Sequence, residues 1–209
     1  MHQILQRRSF MRSALAGALL AGSALAFVRP VHAADEAPDE LVKRISTDVL
    51  ETLKADKSIK AGDITKIMPN VNFQRMTASA VGPAWRQATP EQQKRLEEEF
   101  KTLLVRTYAG ALGQVSDQTV NVRPFRGSPD DKEVLVRTEV RGAGDPVQLD
   151  YRLEKTAGDG AGWKIYNINV LGVWLVDTYR SQFAQQISSG GIDGLIAALA
   201  ARNKSNSKG

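Results

Sequence analysis

The 209-residue chain contains no cysteine, and its only two histidines, His2 and His32, lie within the first 33 residues. Without cysteine there can be no disulfide, thiolate zinc site, iron–sulfur cluster or thiol nucleophile. If the N-terminal segment is removed, the remainder also lacks histidine, which excludes Ser-His-Asp and Cys-His catalysis and haem held through histidine. We therefore expect a protein that is not an enzyme and that holds no metal ion or cofactor.

The N-terminal segment has the three parts of an export signal. They are a cationic head with Arg7, Arg8 and Arg12, an apolar run over 14–28, and the small-residue sequence Val31-His32-Ala33. This order predicts a signal peptide over 1–33, cleaved between Ala33 and Ala34, and hence a periplasmic protein.

Two alternatives concern this signal. A retained membrane anchor would need roughly 18 or more apolar residues, whereas this run is shorter and contains Gly17 and Gly22. Arg7-Arg8-Ser9-Phe10-Met11 resembles a twin-arginine signal, and a Sec signal is the other interpretation. Both export routes lead to the same compartment.

The basic character of the chain belongs to its N-terminal segment. Lys and Arg number 28 against 23 Asp and Glu, and four of the arginines but none of the acids lie in residues 1–33. The remainder therefore carries a net charge of only +1, with both signs interleaved along the chain. Since nucleic-acid-binding proteins usually keep a basic face, we expect no nucleic-acid partner.

Residues 34–202 are predicted to form a single domain, followed by a disordered tail over 203–209. Apolar residues recur at helical spacing from Leu41 to Leu53 and from Leu96 to Leu112, the latter after a capping box at Thr89–Gln92. The period then changes to two in four segments between Val120 and Val170, and helical spacing returns after Val176. This order predicts an α+β fold with a curved, antiparallel, four-stranded sheet covered by helices.

The remaining candidates for chemistry are weak. Gly158–Gly162 resembles part of a phosphate-binding loop but lies between two predicted strands, which favours a hairpin. The carboxylates at Asp130–Asp131 and Glu97–Glu99 are typical of a loop and of a solvated helix face. Tryptophan and tyrosine side chains could line a ligand pocket or fill a core, and periodicity does not distinguish the two.

Several stretches resemble the periplasmic phospholipid-binding proteins of the Mla pathway, the MlaC type, also called the toluene-tolerance family. The similar stretches are Asn72–Met76, Trp85–Gln92, Phe100–Leu112, Trp163–Asn167, Gly172-Val173, Tyr179–Phe183 and Gly191–Leu195. The chain departs from the family pattern at Asn167, Leu171 and Trp174, where aspartate, glutamate and serine are usual.

The resemblance implies an NTF2-like sheet wrapped by helices around an apolar cavity that holds phospholipid acyl chains. It also implies a monomeric carrier that exchanges phospholipid with two partners, an outer-membrane lipoprotein–porin complex and an inner-membrane ABC transporter with an MCE-domain protein. Two alternatives stay open at this point. They are an NTF2-like isomerase or hydrolase that uses Asp or Tyr as acid and base, and an adaptor without a ligand.

If the apolar side of the sheet faces this cavity, side chains from strands and helices form the lipid-binding wall. The predicted members are Phe100, Leu104, Tyr108, Val134, Val136, Val147, Leu149, Tyr151, Ile168, Val170 and Phe183. Periodicity alone does not show which face of the sheet points inward.

Overall fold

In the computed structural model, residues 36–56, 67–112, 118–128, 130–142, 144–157 and 162–206 are described, and all belong to the compact unit Val31–Gly209. Four helices and five strands occur in this part of the chain. They are α1 (Pro38–Asp56), α2 (Phe73–Val81), α3 (Pro90–Leu112), β1 (Thr119–Val122), β2 (Glu133–Arg141), β3 (Val147–Thr156), β4 (Gly162–Val170), β5 (Val173–Trp174) and α4 (Leu175–Ser205). Short 3₁₀ helices at Met68–Asn70 and Gly82–Gln87 precede and follow α2.

The helices begin where side chains can bond the first backbone N–H groups. The Thr89 hydroxyl accepts from the Gln92 N–H (3.2 Å), and the Gln92 side chain accepts from the Thr89 N–H (3.0 Å), which is the predicted capping box of α3. At α2, the Asn72 side chain accepts from the Arg75 N–H at 2.9 Å. The predicted capping box of α3 is confirmed.

Helix α4 is broken at Gly191, whose backbone has φ 65° and ψ −165°. The second segment of α4 then continues from this break to Ser205. The expectation of a disordered tail is therefore wrong for 203–205, whereas 207–209 lie outside the described residues. The reason is that Asn203 is buried against α3, where its Nδ2 donates to the Glu99 carboxylate at 2.7 Å.

The sheet is antiparallel throughout, in the order β1-β2-β3-β4-β5. Four strands were expected, and β5 is the addition. Its two residues follow a turn at Leu171–Gly172 and pair back onto β4, with Val173 opposite Val170. A strand of two residues has too little alternation to be recognised from sequence.

One face of the sheet is almost wholly apolar. The register aligns Val136 with Tyr151 and Tyr151 with Ile168, so these side chains share a face across three strands. Helix α1 covers one end of this face, where Leu41 and Val42 pack with Leu153 and other buried residues. A second core lies between α2, α3 and α4. The space between the two cores is the candidate site.

Candidate functional site

The apolar face of the sheet is covered at one end only. At the end under α1, Val134, Leu153 and Ile165 are buried. Towards the other end, Leu149 and Val170 are only partly buried although they lie on the same face. The helices therefore leave part of an apolar surface without a packing partner.

This uncovered surface forms one wall of a cavity of about 340 Å³. The opposite walls come from the second half of α1, the segment 67–73, α2 and α3. The lining residues are Ile45, Ser46, Val49, Leu50, Ile67, Met68, Val71, Phe73, Met76, Leu104, Val105, Tyr108, Val120, Val140, Leu149, Tyr151, Ile165, Ile168, Val170 and Leu175. Apart from three hydroxyl-bearing side chains and two thioethers, this lining is hydrocarbon, so the cavity suits an apolar ligand.

Six of the eleven predicted wall residues lie on this cavity: Leu104, Tyr108, Leu149, Tyr151, Ile168 and Val170. Four of the six come from the sheet, and together they show that its apolar face is the one that points inward.

The other five predicted residues lie outside the lining. Phe100 and Phe183 pack edge to face within the helical core, with ring centroids 5.1 Å apart. Val134 and Val136 are buried beneath α1. Val147 lies opposite Val140 in the register but does not reach the cavity lining. These five residues do not line this cavity, because helices pack against four of them and the fifth lies at the end of its strand.

Sequence analysis missed the contribution of α1 and of the segment that follows it. Ile45 and Val49 continue the helical stripe of α1, so their apolar character was visible, but the stripe does not show where close packing ends and the cavity begins. Ile67 and Val71 lie in a segment with only one 3₁₀ turn, where no period exists to be recognised.

Burial affects two tyrosine hydroxyl groups in and beside the cavity. Burial raises the pKa of Tyr151 to about 12, and the hydrogen bond with Ser46 only partly opposes this effect. Burial likewise raises the pKa of Tyr179, which packs beside Tyr108, to about 12. A tyrosine with such a pKa cannot serve as a general base near neutral pH.

The acidic residue nearest to this wall in sequence, Asp150, belongs to the opposite face of the sheet. It is buried and pairs in register with Asn169, and its Oδ2 accepts a hydrogen bond from Gln148 at 2.6 Å. None of the cavity-lining residues in the described part of the chain is Asp, Glu, Lys, Arg or His. The described residues also contain no group of three or more acidic or imidazole side chains that could hold a metal ion.

Arg75 fixes the position of α2, which supplies Phe73 and Met76 to the cavity wall. Its guanidinium bonds the Glu133 carboxylate at 2.6 Å, also pairs with Glu154, and stacks 3.7 Å from the centre of the Tyr166 ring. The hydrogen bond from Arg75 lowers the pKa of Glu133. Arg75 therefore ties one helix of the site to three strands.

A comparison with protein-family models matches residues 39–201 to the family described as MlaC protein. The match covers all four helices and five strands except the last four residues of α4 and the first of α1. The chain belongs to the MlaC family. As a member, it has the α+β fold that its sequence predicted, with five strands in place of four.

Two relatives in this family come from Pseudomonas putida and Haemophilus influenzae. The chain is 31% identical over 170 residues to the toluene tolerance protein ttg2D of Pseudomonas putida, covering 77% of each chain. It is 21% identical over 183 residues to the intermembrane phospholipid transport system binding protein MlaC of Haemophilus influenzae, covering 87% of this chain and 85% of that protein.

A solved structure resembles this MlaC-family chain closely. It is the phospholipid-binding protein from Ralstonia solanacearum in complex with a phospholipid, with a TM-score of 0.75 and 43% sequence identity. The similarity covers 82% of this chain and 99% of that one. Within the described residues of the present chain, no helix is both long enough and apolar enough to span a bilayer.

Proposed function

We propose that this protein is a periplasmic carrier that binds phospholipid with its acyl chains in the apolar cavity. The observation that carries the proposal is the 340 Å³ cavity lined by hydrocarbon, found in a chain that is 43% identical to a protein solved with a phospholipid bound. The volume lies at the lower end of the roughly 300–1,000 Å³ common for ligand pockets.

The energetics of transfer support a carrier that keeps its cargo out of water. At about 0.8 kcal/mol per methylene, a sixteen-carbon acyl chain is worth on the order of 12 kcal/mol on leaving water. Spontaneous release of such a chain into water would therefore be very slow. The lipid has to be taken up and released where another apolar environment is available.

In the cell, we propose that the protein shuttles phospholipid between an outer-membrane lipoprotein–porin complex and an inner-membrane ABC transporter with an MCE-domain protein. The name of the H. influenzae relative, an intermembrane phospholipid transport system binding protein, supports this role. We further propose that residues 1–33 direct export and are removed before Ala34. The mass of the protein isolated from the periplasm tests this cleavage, and a protein that keeps residues 1–33 contradicts it.

A carrier is favoured over an NTF2-like enzyme because the cavity brings no acid–base pair together. Its only ionisable lining residues in the described chain are tyrosines, and burial raises the pKa of Tyr151 to about 12. Asp150, the buried acidic residue between Leu149 and Tyr151 in sequence, lies on the other face of its strand.

The direct test is mass spectrometry of an organic extract of natively purified protein. We expect intact diacyl phospholipid in stoichiometric amount, and we expect it to remain intact on prolonged incubation. Protein unfolded, extracted and refolded without lipid is the control and should give no signal. An extract without diacyl lipid, or one in which the lipid is cleaved during incubation, would contradict the proposal.

A further inference from the structure

The turn between β4 and β5 carries a residue that its backbone disfavours. Leu171 and Gly172 both have positive φ, 52° and 87°, and Val170 pairs with Val173 on either side of them. Two-residue turns with positive φ at both positions prefer Asn-Gly or similar sequences, because a side chain with a bulky Cβ substituent is strained there. The fold alone does not account for a leucine at this position.

The same turn exposes more aliphatic surface than any other site among the described residues. Leu171 is 65% exposed and Val173 is 54% exposed. Among the described residues, the other exposed large hydrophobic side chain is that of Leu135 on the outer face of β2, and it is 36% exposed. We call Leu171, Gly172 and Val173 the apolar tip. The run 170–176 contains no charged residue, and Asp177 is the first charge after it.

The apolar tip lies at the rim of the cavity. Val170 immediately before it and Leu175 shortly after it both line the cavity. Along the apolar face of the sheet, the side chains become more exposed towards this end, from buried Leu153 to partly buried Leu149. The tip and the partly buried part of the apolar face therefore lie at the same end of the sheet.

We propose that the apolar tip inserts into the surface of a phospholipid bilayer and thereby brings the cavity mouth against the membrane during lipid exchange. This proposal rests on the proposed carrier function. Insertion would leave a continuous apolar path from the bilayer interior to the cavity wall, so an acyl chain could pass without contacting water.

The size and surroundings of the tip favour a bilayer over a protein partner. Two projecting side chains offer far less than the roughly 800 Å² per partner of a stable protein interface, whereas a bilayer accommodates a small convex protrusion. Next to the tip, Trp174 stacks on the Arg152 guanidinium, with 4.0 Å between its carbon and the ring centre. Tryptophan and arginine are both favoured at the level of lipid headgroups.

The charges near the tip indicate which lipids are required. Arg141, at the adjacent end of β2, is paired with Glu139, which also pairs with Arg123. Arg152, which stacks on Trp174, is the basic residue that we place beside the tip, and one cation is fewer than the cluster of four or more basic residues typical of proteins that select anionic lipids. We expect membrane contact to need no anionic lipid and to depend little on salt.

The test compares the wild-type protein with the double variant Leu171→Asn/Val173→Thr. The change creates an Asn-Gly turn and keeps a β-branched residue in β5, so the fold should be at least as stable. Leu135→Thr is the matched control, because it removes an exposed leucine elsewhere on the sheet. Three quantities are measured for each protein: bound phospholipid, flotation with phosphatidylcholine vesicles with and without phosphatidylglycerol, and transfer of fluorescent phospholipid between vesicles.

We expect transfer by the double variant to be about tenfold slower, in line with the loss of most of the transfer free energy of one leucine. The fraction of the double variant that floats with vesicles should also decrease. Its bound lipid and melting temperature should stay at the wild-type level or above. The Leu135→Thr protein should behave as wild type. Equal transfer by all three proteins would overturn the proposal.

Two further outcomes are decisive. If the double variant transfers lipid between vesicles normally but loses function in cells, the tip is a docking surface for a protein, and the membrane proposal is wrong. If the wild-type protein contains no phospholipid, the proposed carrier function is wrong. In that case, flotation that is lost in the double variant but kept by the wild type and by Leu135→Thr would still support membrane contact by the tip.

Discussion

Phe100 on α3 and Phe183 on α4 pack edge to face in the helical core, with their ring centroids 5.1 Å apart, and neither ring lines the cavity. Both rings also contact Tyr179. The protein therefore keeps both of these phenylalanine rings in the contacts between its helices, away from the cavity surface. Substitutions in the two regions should have different effects.

Phe183→Ala should destabilise the fold by about 3–5 kcal/mol, because it removes a buried ring and leaves a void between α3 and α4. Leu149→Ala, on the partly buried cavity wall, should cost less than about 2 kcal/mol, since the cavity already exists there. Urea unfolding of both variants measures the difference. Equal losses of stability would show that the cavity wall is as closely packed as the helical core.

Leu149→Trp should displace bound phospholipid while the protein stays folded. The larger side chain would occupy the cavity, whereas in a closely packed core such overpacking typically costs about 1–3 kcal/mol. Leu135→Trp, on the outer face of the neighbouring strand, is the matched control and should retain lipid. Bound lipid and melting temperature are measured on the same samples. Unchanged lipid content in Leu149→Trp would place the lipid elsewhere.

Gly191→Ala and Gly190→Ala should have opposite effects although the glycines are adjacent. Neither added methyl group would meet an atom within 4 Å, so the difference is due to the backbone alone. Gly191 has φ 65° and ψ −165°, a region nearly restricted to glycine, and alanine there should cost about 1–3 kcal/mol. Gly190 lies within the helix, where alanine should stabilise by up to about 1 kcal/mol. Thermal unfolding of both variants tests the break in α4.

Glu133→Gln should reduce stability at neutral pH but not in acid. The hydrogen bond from Arg75 lowers the pKa of Glu133 in the folded protein. The pair therefore stabilises the fold fully above the pKa of Glu in the unfolded chain, about 4.3. This stabilisation is lost as the pH falls through the lower pKa that Glu133 has in the folded protein. Because the carboxylate is more than half exposed, solvent screening should limit the effect at neutral pH to less than about 1 kcal/mol.

The measurement for Glu133→Gln is the free energy of unfolding as a function of pH. The difference in the free energy of unfolding between the variant and the wild type should disappear as pH decreases through about 4. Glu98→Gln, on the exposed side of α3, controls for the loss of one negative charge and should stay within about 0.5 kcal/mol of wild type. A gap that persists in acid would mean that Glu133 acts through packing.

The elements that could be predicted from sequence are those with a local cause. Thr89 and Gln92 bond each other's backbone N–H groups, so the start of α3 follows from four consecutive residues. Alternation over nine or ten residues was enough to recognise β2, β3 and β4, whereas β5 has only two residues.

The boundary between core and cavity has no such local cause. Phe100 and Leu104 are one helical turn apart and both apolar, yet the first is fully buried and the second lines the cavity. The difference is made by α4, which brings Tyr179 and Phe183 against Phe100. Because those contacts span about eighty positions of the chain, the periodicity of α3 contains no information about them.

The two sides of the cavity differ in their mechanical resistance. The wall formed by β3 and β4 is held by a ladder of backbone hydrogen bonds, which cannot lengthen without being broken. The facing wall includes the middle of α1, from Ile45 to Leu50, and this helix meets the core through side-chain packing of Leu41, Val42 and Ile45. A helix held by side-chain packing can shift by small sliding movements without breaking a backbone ladder. Room for acyl chains of different length or saturation should therefore come from displacement of α1, with the sheet serving as the fixed reference surface.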